Sequence, residues 1–412
     1  MSKEKNRLIL PYIYFLVWPI FSLIFSFLNY RSKYFKNIVL LTCGFFGSTF
    51  YLNSKRNDAH YYRDLLSNYY NNRDISFFDF TKYLFSDNSH FEDQLYPLFN
   101  FIVSRFTDNF YILYTILGLI FGYLLSRNLD FIISKTNGKI NKNAIWFLIL
   151  IFFLAPIWNL YNVRFWITVH FFFFFAIRYL YSKNIKLLLL SLLSITMHFS
   201  FIFPCGLLVL YHFLGNRYWI YMFIFIISFI FLNIELNDIL KFLPKDIGYA
   251  DSKIVAYTAD DYVKTAVKNS DNRIWIVKIR TNLLVYMNLI FIFILFLFFR
   301  RRLIENEFTK SLFSFAILFF AASSFLIVIP TMDRFVIVSS MFLATFYFLV
   351  IQNYTFSKSA KSLMLFFNIP IILYCVVEMR IGLEFISTDM IFLNPLISWF
   401  FPHDVSLLEL VK

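Results

Sequence analysis

Along the chain, apolar runs of membrane length alternate with short interruptions rich in Lys, Arg and Asn. Runs long enough to cross a ~30 Å hydrocarbon core as helices stand at about 8 to 28, 35 to 52, 109 to 126, 144 to 158, 161 to 181, 218 to 235, 281 to 299, 311 to 329, 335 to 351 and 362 to 379. The first, from Leu8 to about Leu28, is too long for a signal-peptide core and lacks a small-residue cleavage site, so it reads as an uncleaved span. The pattern predicts an all-α polytopic integral membrane protein with about 10–13 transmembrane helices. These form a single transmembrane domain over residues 1–412.

Two longer polar excursions, at about 53–95 and 236–280, interrupt the runs. Both mix acids with aromatics in a broken amphipathic pattern, and both carry enough Tyr, Phe and Ile to pack as short helices instead of behaving as disordered linkers. Basic turns set the orientation. Arg127 to Lys142, Lys183 with Lys186, Arg300 to Arg302 with Lys310, and Lys358 with Lys361 are expected on the cytoplasmic side. Both long loops then face outward. That arrangement requires segment 187–213, LLLLSLLSITMHFSFIFPCGLLVLYHF, to enter and leave on the cytoplasmic side. It reads as a broken or re-entrant helix pair interrupted between His198 and Pro204, since proline donates no backbone hydrogen bond and broken helices at membrane depth line protein or wet cavities. At the amino-terminal end, Lys3, Lys5 and Arg7 oppose Arg31, Lys33 and Lys36, which leaves the side of the terminus undecided.

Composition strengthens the membrane reading: 59% of residues are hydrophobic and 15% charged, more apolar surface than a water-soluble core of this size would use. The formal charge of +13 could suggest nucleic acid, but the basic residues sit in short loops between apolar runs, as topology signals do. Nucleic-acid binding is therefore not expected. Cys43, Cys205 and Cys375 each lie within an apolar run, without CxxC spacing, and read as small hydrophobes, with no disulfide framework and no metal site.

Candidate chemistry collects at a few positions. The first long loop contains NDAHYYRDLLSNYYNNRDISFFDF, in which Asp58, Tyr62, Asp64, Tyr69 and Tyr70 are spaced to place several on one face of a short helix. Tyrosines and carboxylates on one surface suit sugars; an interfacial amphipathic helix would also be rich in tyrosine. Arg164 opens the span NVRFWITVHFFFFFAIRYL. A guanidinium there either snorkels to lipid headgroups or pairs with a phosphate or diphosphate, which its planar fork fits. His198 lies beside the helix break and suits either a packing or an active-site role, whereas His170, on an uninterrupted phenylalanine run, reads as structural. Asp333 and Arg334, in PTMDRF, form an outer turn that could simply cap a helix. The expected topology puts the Arg164 end, this turn and both long loops on one face, as a lipid-linked anionic substrate would need.

Taken in order, the strings DAHYY, FEDQLYPLFNFIVSRF, NVRFWITVHFFFFFAIRYLYSKNIK, SITMHFSFIF and PTMDRF resemble the EpsG-like branch of Wzy-type polysaccharide polymerases over roughly residues 40–350. The chain departs from that pattern in lacking a glycine before Asp58 and in following Arg164 with FWIT instead of a small-residue stretch. The resemblance implies a fold like the lipid-dependent GT-C glycosyltransferases. It also implies polymerisation of oligosaccharide repeat units carried on undecaprenyl diphosphate, at the outer face of the bacterial plasma (inner) membrane, with exopolysaccharide, capsule or O-antigen as product. The implied partners are the lipid-linked oligosaccharide, membrane lipid and a chain-length regulator, and no cofactor is expected. Arg164 and Arg334 become candidates for the charge that meets the leaving diphosphate, Asp58 or His198 for the group that orients or deprotonates the acceptor hydroxyl, with Asp333 beside Arg334 and with Tyr62, Asp64 and Tyr69 for substrate binding. Two rivals are a GT-C transferase adding one sugar from a polyprenyl phosphate and a lipid-linked oligosaccharide flippase. The flippase is disfavoured because no repeated half is visible.

Overall fold

The computed structural model describes residues 2–52, 58–86, 93–230, 275–303, 306–327, 329, 332–354 and 365–411. Most of the second long loop and the Pro330–Thr331 start of PTMDRF fall outside these residues. The described chain is helical throughout, without strands. In order it forms α1 (Ser2–Val17), α2 (Pro19–Leu28), α3 (Phe35–Ser48), α4 (Asp58–Asn71), α5 (Phe77–Leu84), α6 (Leu95–Ser104), α7 (Phe110–Ser134), α8 (Ala144–Leu154), α9 (Val163–Ser182), α10 (Ile185–Leu192) and α11 (Ser194–Met197). These are followed by α12 (Ile202–Leu214), α13 (Tyr218–Ile230), α14 (Trp275–Leu303), α15 (Glu307–Phe325), α16 (Arg334–Asn353), α17 (Asn368–Gly382), α18 (Thr388–Phe392) and α19 (Leu407–Val411).

Among the described residues, five stretches are long and apolar enough to cross a membrane: Phe110–Ser134, Ala144–Ser182, Ile279–Phe296, Glu307–Phe325 and Arg334–Asn353. Shorter apolar helices accompany them, so the chain is an all-α polytopic membrane protein. The first run is split at Trp18, because Pro19, which has no amide hydrogen to continue α1, begins α2. At the end of the first long loop, α6 is apolar but only 10 residues long, too short to register as a span.

The chain divides into two compact units. One comprises Met1–Asn137, Ala155–Gly206 and Met379–Lys412; the other comprises Gly138–Leu154 and Leu207–Glu378. In the first unit the most extensive packing is between α3 and α7. The reason is a set of facing glycines: a Cβ at Gly47 would collide with the Tyr114 carbonyl, one at Gly118 with the Cys43 carbonyl, and one at Gly122 would lie 2.6 Å from Cys43 Cβ. Small residues let membrane helices approach backbone to backbone. Phe50 and Phe110, 6.1 Å apart, close the same end of the pair. His170 is enclosed in this unit, with its Nε2 on the Ala155 carbonyl at 3.1 Å and Phe121 edge-on at 4.5 Å.

The second unit is built on α16, nearly all of whose residues from Phe335 to Ile351 are buried, against α8, α14 and α15. Several polar groups inside it are paired across helices. Asn288 donates to Ser340 Oγ at 2.9 Å and accepts from the Tyr347 hydroxyl at 3.2 Å. Arg280 meets Glu378 at 3.2 Å, and the Tyr374 hydroxyl donates to the same carboxylate oxygen at 3.1 Å.

Candidate active site

The candidate site lies in the first unit and is assembled from four short stretches. The first is α4, whose inward residues Ala59, Tyr62, Leu65 and Leu66 recur at helical spacing. Tyr62 is fully buried, with its ring on Tyr96 of α6 at 4.3 Å between centroids. Burial pushes its phenol upward, an effect that nearby Arg164 opposes, so the hydroxyl stays neutral and keeps lone pairs to offer.

Arg164 takes one of them. It is the second residue of α9, directly after the 3₁₀ turn Ile157–Asn162, and its backbone carbonyl is tied by the Thr168 hydroxyl at 2.6 Å. Its Nε donates to Tyr62 Oη at 2.7 Å and its Nη1 to Asp93 Oδ2 at 2.8 Å. Asp93, buried just ahead of α6, turns its other oxygen to the Phe199 amide at 2.8 Å. One carboxylate thus holds the guanidinium and caps the 3₁₀ turn Phe199–Phe201, supplying an acceptor that the turn lacks locally. The guanidinium side chain remains 30% exposed.

His198 lies at the break itself, in extended backbone (φ −153°, ψ 114°) between α11 and that turn. Its Nδ1 is 2.8 Å from Ser200 Oγ and its ring meets Phe165 edge-on at 5.4 Å. Asp58, exposed in the first turn of α4, acts electrostatically on both Arg164 and Tyr62.

Asp58, Tyr62, Arg164 and the His198 break are therefore brought together. Asp64 is not: it is exposed and pairs with its neighbour Arg63 at 3.2 Å. Tyr69 packs between Phe80 (5.4 Å) and Phe101 (5.8 Å), while the Arg105 guanidinium holds the Tyr69 and Arg73 carbonyls. Its role there is to fix the end of α4. Asp333 and Arg334, both half-buried, belong to the second unit at the start of α16, where Asp333 makes no side-chain cap to the helix. Asp93 was not singled out by the sequence, although FEDQLYPLF contains it; no pattern separates it from adjacent Glu92. Among the described residues no three His, Cys, Asp or Glu are placed to hold a metal ion.

The family model for EpsG matches residues 55–387, most of the chain. The protein belongs to the EpsG family. EpsG-family members are Wzy-like polymerases, so the chain is a membrane protein of the polysaccharide-polymerase type. The range shared with the EpsG family takes in Asp58, Tyr62, Asp93, Arg164, His198, Asp333 and Arg334, and ends just before Thr388. No curated protein and no solved structure matches the chain.

Proposed function

We propose that the protein is a repeat-unit polymerase that transfers a growing glycan from undecaprenyl diphosphate to a new lipid-linked repeat unit at the outer face of the bacterial plasma membrane. The observation that supports this most directly is Arg164, oriented by Tyr62 and Asp93 at the mouth of an apolar helix and still partly open. Nε and one Nη1 hydrogen are committed to these partners, which leaves Nη2 for a phosphate oxygen.

In the transfer, the acceptor hydroxyl oxygen bonds to the anomeric carbon and the bond from that carbon to the diphosphate oxygen breaks. The electron pair leaves with the diphosphate, and the hydroxyl proton passes to a base. A fixed guanidinium beside the leaving oxygen lowers the barrier because it is already oriented when charge develops. Asp58, exposed beside Arg164, and His198, at the break, are the two candidate bases. Asp93 offsets much of the Arg164 charge, so a diphosphate needs further positive charge. The long loops face outward in this reading, and undecaprenyl-diphosphate oligosaccharide, membrane lipid and a chain-length regulator are the partners.

Deletion in the host tests the reading. Lipid-linked single repeat units should accumulate and long-chain glycan should vanish. Loss of the single unit itself would indicate a transferase acting earlier, and unflipped units retained on the inner leaflet would indicate a flippase.

A further inference from the structure

The last residues of the chain form a second polar cluster that the site above does not use. Residues 383–411 are folded back on themselves: Thr388 N donates to the Val405 carbonyl at 3.0 Å, Leu407 N to Ile386 at 2.9 Å and Leu408 N to Leu383 at 2.9 Å. Side chains clamp this segment to the ends of α3 and α7. The Tyr51 hydroxyl donates to Glu409 at 3.0 Å, and the Tyr111 ring meets His403 edge-on at 5.0 Å. His403 Nδ1 donates to Asp389 Oδ2 at 2.7 Å, which fixes the ring and leaves Nε2 with no hydrogen bond among the described residues. Asp404 is exposed and acts electrostatically on both Tyr51 and Tyr111; Asp389 and Arg63 also act on Tyr111.

Two phenols, three carboxylates and an oriented imidazole therefore surround one edge of the fold. The spacing does not suit a metal ion, since among the described residues no three of these groups converge. It does suit a ligand that offers hydroxyls over a distance and an apolar ring face to a tyrosine. Location agrees with this. Tyr111 and Tyr114 stand one turn apart on α7, and Tyr114 lies within electrostatic reach of Tyr62 and Asp58. The cluster joins Tyr111 of α7, inside the range matched by the family, to Asp389, His403 and Asp404, which lie beyond it.

We infer that Tyr111, Asp389, His403 and Asp404 form a glycan subsite that binds sugar residues of the repeat unit at a distance from the reacting carbon and so helps decide which unit is extended. The inference rests on the polymerase reading for the identity of the glycan. Asp389, His403 and Asp404 lie outside the family match, where a chain-specific sugar preference can be carried without altering the chemistry.

The probe is the free oligosaccharide released by mild acid from the host's own lipid-linked repeat unit, titrated into the full-length protein in nanodiscs and read by saturation-transfer NMR. Wild type should bind it, and Asp404→Asn and His403→Gln should each weaken binding about tenfold, the scale of one hydrogen bond to a charged or oriented group. In polymerisation assays the same variants should raise KM for the lipid-linked unit with kcat nearly unchanged. Asp404 is exposed, so its variant should keep normal abundance. Absence of binding to wild type, or equal binding by both variants at normal abundance, overturns the subsite. Arg164→Lys should still bind the free oligosaccharide, which carries no diphosphate. Binding that survives while the deletion strain still makes long glycan would refute the polymerase reading and leave the subsite standing.

Discussion

The pairs Arg280–Glu378 and Arg164–Asp93 each join separate segments of the chain, and they differ in what else they touch. Arg280 and Glu378 are nearly sealed, at 11% and 1% side-chain exposure, and one further partner is the Tyr374 hydroxyl on the same helix as Glu378. Arg164 and Asp93 are at 30% and 8%, and their further partners, Tyr62 and the Phe199 amide, come from two other segments. A sealed pair is placed to join helices. A pair with one open edge and partners drawn from across the fold can receive a ligand, and the separation of its parts means that no single segment determines its geometry.

Removing one partner of each pair should expose the difference most strongly. Glu378→Ala leaves a guanidinium buried without its carboxylate, and it should destabilise the protein by about 3–5 kcal/mol, with loss of most membrane-inserted protein on immunoblots. If Glu378→Ala protein accumulates normally, the sealed pair is not the structural one.

Next comes the exchange of each arginine for lysine. Arg164→Lys keeps charge but loses the planar fork, and chain extension should fall by about 10²–10³-fold at near-normal abundance, as for loss of an oriented donor at a developing oxyanion. Arg280→Lys should leave the glycan ladder long in whatever protein survives. A full ladder in Arg164→Lys would show that lysine snorkels as well as arginine there, and would remove Arg164 from the chemistry.

The smallest effect is expected from Tyr62→Phe, which deletes one hydroxyl that accepts from Arg164 and keeps the ring on Tyr96. A loss of about 1.5–3 kcal/mol for a hydrogen bond to a charged group corresponds to roughly 10- to 100-fold in activity. No loss would mean that Asp93 alone orients the guanidinium.

The helices were legible because membrane-length apolar runs are strong signals, and the break at His198 because a polar residue and Pro204 stood together in one. The site was legible only in part. Arg164 and Tyr62 announced themselves as a charge at a span entrance and a tyrosine on a helical face. Asp64 stands apart from that cluster, since it lies two residues after Tyr62 and so points about 200° away around the helix. Asp93 was hidden for a different reason. Its partner in the break is a backbone amide 106 residues away, and backbone amides leave no mark on a sequence. The Asp389–His403 pairing, 14 residues apart across a fold-back, has no periodic signature either.

The glycine contacts between α3 and α7 have a consequence for how the site is delivered during membrane insertion. Gly47 near the end of α3 abuts Tyr114 near the start of α7, so the excursion that contains α4, α5 and α6 is a loop whose ends are stapled together without any side chain between them. Closing a loop of that length removes chain entropy once, at the staple, and the remaining conformational search runs over a short tether. Tyr62 and Asp93 both ride on that tether, which makes two backbone-to-backbone contacts between glycine-bearing helices a precondition for the guanidinium of Arg164 ever meeting its partners.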